Sequence, residues 1–260
     1  MQPWTVHAAK YAEHRDRTRA SNFVADERPG DPGPIDFFMW LLTRGSETIL
    51  VDTGYDGAEA QRRGRTVDRE PHEALAPLGI APEMVDTLVV THLHFDHAGG
   101  LHLFPNATLH MQAAEMAFAT GPCMCGPLAA PYTGAHVCEA VSRLYSGRVV
   151  FHEGDGEIAE GVTVHRIGGH SRGLQCVRVL TEAGWLVLAS DAAHTYENLE
   201  RRKPFPIVVD VEDMLAGFAT VERLATSGLW VPGHDPLVME RFPRDRADHV
   251  VRLDRGPSRS

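Results

Sequence analysis

The stretch "VDTLVVTHLHFDHAGG", residues 85–100, constrains this chain more than any other. An aliphatic run leads into three histidines and an aspartate within six positions, and two glycines follow. The aliphatic run reads as a buried strand. Burying four ionisable side chains at its end is costly unless something pairs with them. His92 and His94 stand at i and i+2 of extended backbone, so both side chains leave on the same side. Asp96 and His97 follow as the chain turns and are directed to an adjacent point. Gly99 and Gly100 let the backbone pack closely just after the turn. Such a cluster can serve one metal ion and a second beside it.

Three other places have the same character: "RIGGHSRG" presents His170, "LVLASDAAH" presents Asp191 and "LWVPGHDP" presents His234. Each is a ligand-type residue at the end of an apolar strand, beside small residues. Neutral imidazoles and carboxylates in this combination suit a zinc-like divalent metal.

The remaining pattern predicts a single domain over residues 1–260. Residues 20–35 read as an irregular, Pro- and Gly-rich lead-in. "DFFMWLLT" and "ETILVDTG" read as a hairpin, "HEALAPLG" as a short helix, "ATLHMQ" as a strand and "AAEMAFA" as a helix. Residues 120–148 break the rhythm with two close cysteines and three prolines before a helix near "CEAVSRLY". They are expected to form a cap or lid over the site, where specificity is commonly set. Strands then resume at "VVFHEG", "VTVHRIGGH", "QCVRVLTE" and "GWLVLASD". The segment "DVEDMLAGFATVERLAT" is expected to be a helix with Asp210 as N-cap and Met214, Leu215, Phe218, Val221 and Leu224 on its core face. Two hairpin-rich blocks with helices imply two β-sheets between helical layers, an α+β architecture.

The chain has 260 residues, 43% of them hydrophobic, and 35 acidic against 25 basic residues give a formal net charge of −10. That balance argues against nucleic acid or an anionic membrane as partner, while a small molecule fits. The N-terminal residues lack the apolar core of a signal peptide, and no stretch reaches the length of a membrane span. A cytoplasmic location is expected, and a homodimer is compatible with the chain. Cys123, Cys125, Cys138 and Cys176 are expected to be reduced thiols, with the "GPCMCGP" pair lining a loop or pocket wall and not binding metal.

His-x-His-x-Asp-His, then Gly-His, then an aspartate after an apolar strand, then Pro-Gly-His resembles the metallo-β-lactamase superfamily, over about residues 36–242. The resemblance implies an αββα sandwich with its site at one edge between the sheets. It implies that His92, His94 and His170 bind one metal, that Asp96, His97 and His234 bind another, and that Asp191 bridges them. "LVDTG" matches the family's early strand, which makes Asp52 a carboxylate that orients a ligand histidine. Two divalent ions per chain, zinc before manganese, iron or cobalt, would then offer a bridging hydroxide for hydrolysis.

Within the superfamily, "SDAAHTYENLERRKPFP" and "PGHDPLV" are most similar to the N-acyl-homoserine lactonase branch. That likeness implies opening of a lactone ring by attack of the metal-bridging hydroxide, with Asp96 passing the proton to the leaving alkoxide. Phe95 is expected to line the substrate pocket, and Met124 and Tyr132 to reach the substrate from the lid. Better-known members of the branch carry a tyrosine three residues after the bridging aspartate. Here His194 stands there and Tyr196 two residues on, and either is a candidate to hold the substrate carbonyl. Three readings stay open: a lactonase for an N-acyl-homoserine lactone or another catabolic lactone, a hydrolase of a thioester, β-lactam or cyclic amide, and a non-catalytic metal-keeping sensor.

Overall fold

The strand Ile35–Arg44 opens with eight consecutive buried residues, which fits a strand covered on both faces. Phe37, Met39 and Leu41 enter one apolar cluster, and Phe38, Trp40 and Leu42 enter another. This is the period of two expected of extended backbone. The chain therefore folds in layers about this strand.

The computed structural model describes residues 2–258. In chain order its strands are β1 (Thr5–His14), β2 (Ile35–Arg44), β3 (Glu47–Val51), β4 (Thr87–Val89), β5 (Thr108–Gln112), β6 (Val149–His152), β7 (Gly156–Ala159), β8 (Val162–Arg166), β9 (Gln175–Thr181), β10 (Gly184–Ser190), β11 (Leu229–Pro232), β12 (Arg244–Asp245) and β13 (Ala247–Arg252). One sheet runs β12-β13-β1-β2-β3-β4-β5-β6 and the other β11-β10-β9-β8-β7. The helices are α1 (Gly57–Arg62), α2 (Pro71–Leu75), α3 (Phe95–Ala98), α4 (Ala113–Ala119), α5 (Gly134–Tyr145), α6 (Tyr196–Glu200), α7 (Val211–Leu224) and α8 (Leu237–Arg241).

The inter-sheet core joins Trp4, Val6 and Trp40 to Val164, Val177 and Leu188. Outside the first sheet, Met116 and Phe118 of α4 and Val137 and Ala140 of α5 complete a second apolar layer. Outside the second sheet, Met214, Phe218, Val221 and Leu224 of α7 pack on Cys176 and Val187. Helix, sheet, sheet and helix follow in that order, the αββα sandwich that the sequence predicts.

Two segments not assigned from the pattern form strands, and one expected helix face shifts. "TVHAAKYAEH" carries no strong strand signal, yet it forms β1, an inner strand of the first sheet, paired with β2 and β13. The polar C-terminal stretch also forms a strand: β13 closes on β1, and Val250, Val251 and the following Leu253 are buried. On α7 the Asp210 cap accepts from the Glu212 and Asp213 amides as expected. Leu215, however, is 40% exposed, and Gly217 takes the place on the buried face, close against Ile167.

Residues 120–148 divide into two parts. Pro127, Leu128, Ala130 and Pro131 line a cavity, whereas α5 turns inward. Its Arg143 is buried and donates to the Leu101, Phe104 and Ala107 carbonyls. Cys123, Cys125 and Cys138 are exposed, Cys176 is buried, and all four are free thiols. No helix among the described residues is long and apolar enough to cross a membrane.

Candidate metal centre

Strand polarity brings the ligand-type residues together. β3, β4 and β5 run parallel, so Asp52 and the 91–97 turn emerge at the same edge of the first sheet. β10 and β11 are parallel too, with Ser190 opposite Pro232, so Asp191 and His234 emerge side by side. Asp52 and Ser190 both hold a positive φ, 61° and 48°. This sparsely allowed backbone stands where each strand breaks into the site. Gly100 lies so close to Thr53 that a β-carbon would strike its carbonyl oxygen, and one on Gly233 would stand 2.6 Å from Asp191 Oδ1. The glycines beside the ligands are there for contact as much as for turning.

Four groups of ligand atoms converge within 4.8 Å: His92, His94 and His170; His92, His97 and Asp191; Asp96, His97 and His234; and His170, Asp191 and His194. Asp191 has a different face for each side. Its Oδ2 lies 3.2 Å from His170 Nε2 and 3.9 Å from His92 Nε2. Its Oδ1 lies 3.0 Å from His234 Nε2 and 3.4 Å from His97 Nε2. Asp96 Oδ2 approaches the second pair, 3.7 Å from His234 Nε2 and 3.8 Å from His97 Nε2.

The second nitrogen of several rings is already engaged. His97 Nδ1 donates to Asp52 Oδ2 at 2.7 Å, His170 Nδ1 to the Ile207 carbonyl at 2.6 Å and His234 Nδ1 to the Asp36 carbonyl at 3.0 Å. Each bond fixes the tautomer and turns an Nε2 lone pair toward the centre. His170 Nε2 and His92 Nε2 then face each other at 3.1 Å. Nitrogens of a tetrahedral zinc site, with Zn–N of about 2.0–2.1 Å, stand about 3.3 Å apart. His97 Nε2 and Asp191 Oδ1 are buried with no hydrogen-bond partner. Lone pairs facing one another in a buried, oxygen- and nitrogen-lined space are what divalent cations require, and the residues fit them.

Electrostatics point the same way. Burial, then the neighbouring histidines, push His92 well below its usual value, and burial followed by His170 does the same to His94. Burial also opposes charge on His97, but Asp191, Asp52 and Asp96 outweigh it and raise that histidine. For Asp191, burial is overcome by His234, His97 and His194, which hold the carboxyl far below the ordinary range.

Asp52 is fully buried and also accepts from the Thr91 amide at 2.7 Å and the Thr91 hydroxyl at 2.8 Å. Glu115 carries no signal in sequence beyond one carboxylate in an otherwise apolar "AAEMAFA". It is completely buried and joins three segments. Its Oε1 accepts from the Leu93 amide at 2.9 Å and the Tyr132 hydroxyl at 3.0 Å. Its Oε2 accepts from the Ser171 hydroxyl at 2.7 Å and the Gly173 amide at 3.0 Å. The carboxylate thus clamps the segments that carry His94 and His170.

The other candidates separate. Phe95 and His194 line the inner cavity with His94, Asp96, Asp191 and His234. His194 stacks on Phe205 at 3.4 Å, and its Nε2 lies 3.0 Å from Asp191 Oδ2. Burial holds it neutral, at about 3, against the pull of Asp191. Tyr196 is not brought to this cavity: it packs on Trp230 beneath Arg241. Tyr132 packs edge-on against His94 and points its hydroxyl at Glu115. Met124 rests against the core outside the first sheet. A wider lobe of about 360 Å³ continues outward between Pro127–Pro131 and Pro206–Val209.

The sequence profile of the metallo-β-lactamase superfamily matches residues 36–242. An N-acyl homoserine lactonase of Bacillus cereus is 31% identical over 194 residues, which span 68% of this chain and 72% of that protein. A solved structure of a quorum-quenching N-acyl homoserine lactone lactonase, 25% identical, superposes with a TM-score of 0.73 over 91% of this chain and 94% of its own. A second, of an N-acyl homoserine lactone hydrolase with N-hexanoyl-L-homoserine at its catalytic metal centre, shares the fold. It has a TM-score of 0.77 at 24% identity, covering 92% of this chain and 96% of that one.

Proposed function

Since the chain belongs to the metallo-β-lactamase superfamily and is a metal-dependent hydrolase, we propose that it opens lactone rings at a centre of two divalent ions. The observation that carries this reading is the two-faced Asp191, with His92 and His170 toward one oxygen and His97 and His234 toward the other. His94 completes the first set and Asp96 the second. The nitrogen-rich set without cysteine favours zinc. When bound, the two ions supply Lewis acidity, which polarises an ester carbonyl and lets water ionise near neutral pH.

The groups of this chain do the rest. Asp52, the Ile207 carbonyl and the Asp36 carbonyl hold the imidazoles in register, and Glu115 holds the loops that bear them. Asp96, half-buried at the cavity floor, is positioned to take the proton of the attacking water and return it to the ring oxygen as the acyl C–O bond breaks. His194 lines the cavity as a neutral donor and is our candidate to hold the carbonyl oxygen as charge develops there. Phe95 walls the reacting ring, and residues 127–131 form the capping part of a lid within one 1–260 domain. The lactonases among the relatives support the substrate class, and a cytoplasmic location fits it.

Metal-replete protein incubated at neutral pH with a panel of γ- and δ-lactones should release acid, followed by pH-stat. Turnover of thioesters or β-lactams with every lactone left intact would overturn the reading.

A further inference from the structure

We propose that the lactone carries a carboxylate close to the reacting ring, received by Arg17 and Arg65; the inference rests on the lactonase reading and names its substrate class. Arg17 follows β1 and Arg65 follows α1, and both line the inner cavity together with His94, Asp96, Asp191 and His234. Both are half-buried.

What sets these two arginines apart is the absence of a carboxylate in contact. Their neighbours have one: Arg19 pairs with Asp26 and Glu197, and Arg63 with Glu59. Arg17 instead donates to the Ser21 carbonyl and Asn22 Oδ1, each at 2.8 Å. Arg65 meets His14 Nδ1 at 2.7 Å and lies over the rings of Phe95 and Phe37, at 5.4 and 6.0 Å. Burial, then Arg65 and Arg17 themselves, hold His14 at about 4, so it is a neutral acceptor. Among the described residues neither guanidinium has a carboxylate within 4.0 Å. The same two cations feel each other, since burial and then Arg65 lower Arg17 to about 10, which still leaves it charged at pH 7.

Half-buried like charges without a partner are unfavourable, and here they stand in a chain of net charge −10. The cavity carboxylates Asp96 and Asp191 pull Arg17 the other way, yet burial and Arg65 outweigh them, and neither carboxylate is in contact with it. Asp96 and Asp191 are turned to the histidines, and two divalent ions would outweigh both. The missing charge is therefore supplied by what binds. A guanidinium fork matches a carboxylate in plane and spacing. The carboxylate that ring opening creates forms at the metal-ligand cluster, so the one met by the arginines is a second, already present in the substrate. N-acyl homoserine lactones carry no such charge, and the substrate inferred here differs from them in that respect. Hydrolysis adds water across the acyl C–O bond, OH to the carbonyl carbon and H to the ring oxygen, and yields a hydroxy dicarboxylate.

The test uses 5-oxotetrahydrofuran-2-carboxylate and its methyl ester as a matched pair of γ-lactones. Their kcat/KM values are compared in the wild type, Arg17→Gln, Arg65→Gln and Arg65→Lys. Calorimetry of the open hydroxy dicarboxylate and its monomethyl ester, with metal-free and zinc-loaded protein, reads binding without turnover. The acid should exceed the ester by about 10–100-fold in kcat/KM, the range of a charge-assisted hydrogen-bonded pair. The ratio should fall toward one in both glutamine variants and recover in part with lysine. The dicarboxylate should bind the glutamine variants at least tenfold more weakly, with or without zinc. Equal or faster turnover of the ester, with a ratio that no variant moves, overturns this proposal and leaves the lactonase reading standing. Arginine-dependent binding with neither of these lactones nor any other of the panel opened overturns the lactonase reading and keeps the anion site. Dicarboxylate binding that ignores both arginines overturns the anion site whatever the turnover.

Discussion

Glu115→Gln is the most informative single change outside the ligand set. The carboxylate accepts four hydrogen bonds, two on each oxygen, all in a fully buried setting. An amide keeps one acceptor oxygen and turns an NH₂ toward the other two donors. In one orientation the Gly173 amide loses its acceptor and the Ser171 hydroxyl must turn to accept from the NH₂; in the other, the Leu93 amide and Tyr132 hydroxyl are placed likewise. The buried amide left unmade costs ~1–3 kcal/mol. At ~2–4 °C per kcal/mol for a domain of this size class, the melting temperature should fall by about 2–12 °C. The damage should also be directional, because Leu93 stands between His92 and His94 and Ser171 follows His170. Affinity for the first metal position should drop about 10–100-fold, as for other residues that hold ligands in place, while the second position keeps its affinity. Circular-dichroism melts of metal-free protein give the first quantity, and competition with a chromophoric zinc chelator gives the second. Tyr132→Phe removes only one donor and should cost about 1 kcal/mol. An unchanged melting temperature together with wild-type affinity at both positions would refute the clamp.

Four further outcomes follow from the geometry. Elemental analysis of zinc-saturated protein should find two ions per chain, and the same number after Cys123→Ser and Cys125→Ser; a single ion would contradict the division about Asp191. Asp96→Asn should stay folded but lose ~10²–10⁴ in kcat, the usual span of a general acid–base group, and near-normal kcat in a metal-replete variant would remove Asp96 from proton transfer. A thiol reagent at neutral pH should label Cys123, Cys125 and Cys138 in the native protein, whereas burial has pushed Cys176 to about 12 and should delay its labelling until denaturation; four equally fast thiols would contradict this packing. His194→Ala should cost ~10²–10³ in kcat with both ions retained, and loss of an ion instead would make His194 a ligand.

How far the site could be read in advance depended on where each residue sits in the chain. His92, His94, Asp191 and His234 follow apolar strands, and a strand sets the direction of its side chains every second residue. Sequence spacing therefore carries geometric information there, and the structure brings these residues together. The same rule makes "DFFMWLLT" legible as one arm of a hairpin, and the structure shows that strand covered on both sides. It failed for β1, whose alanines, histidine and lysine carry weak strand preference and which is held in the sheet by its two partners. It failed likewise for the C-terminal strands, which look polar because Ala247–Arg252 fully buries only one residue on each face, Val250 and Val251.

Direction is harder to read for residues in irregular segments, and the lid shows why. Tyr132 of "APYTGAH" is expected to reach the substrate from the lid. The main chain decides otherwise: Phe95 N donates to the Pro131 carbonyl at 2.9 Å, which seats the segment beside the histidine turn. Tyr132 then lies against His94 and reaches Glu115, while Pro131 and Leu128 face the cavity. Glu115 itself lies in the first turn of α4, a position where carboxylates are ordinarily solvated. It is buried only because three distant segments close over it. Arg17 and Arg65, in polar stretches that read as surface, become cavity walls for the same reason. Ligand identity was thus encoded locally, whereas the groups that position ligands and select substrate were determined by which segments the two sheets bring to their common edge.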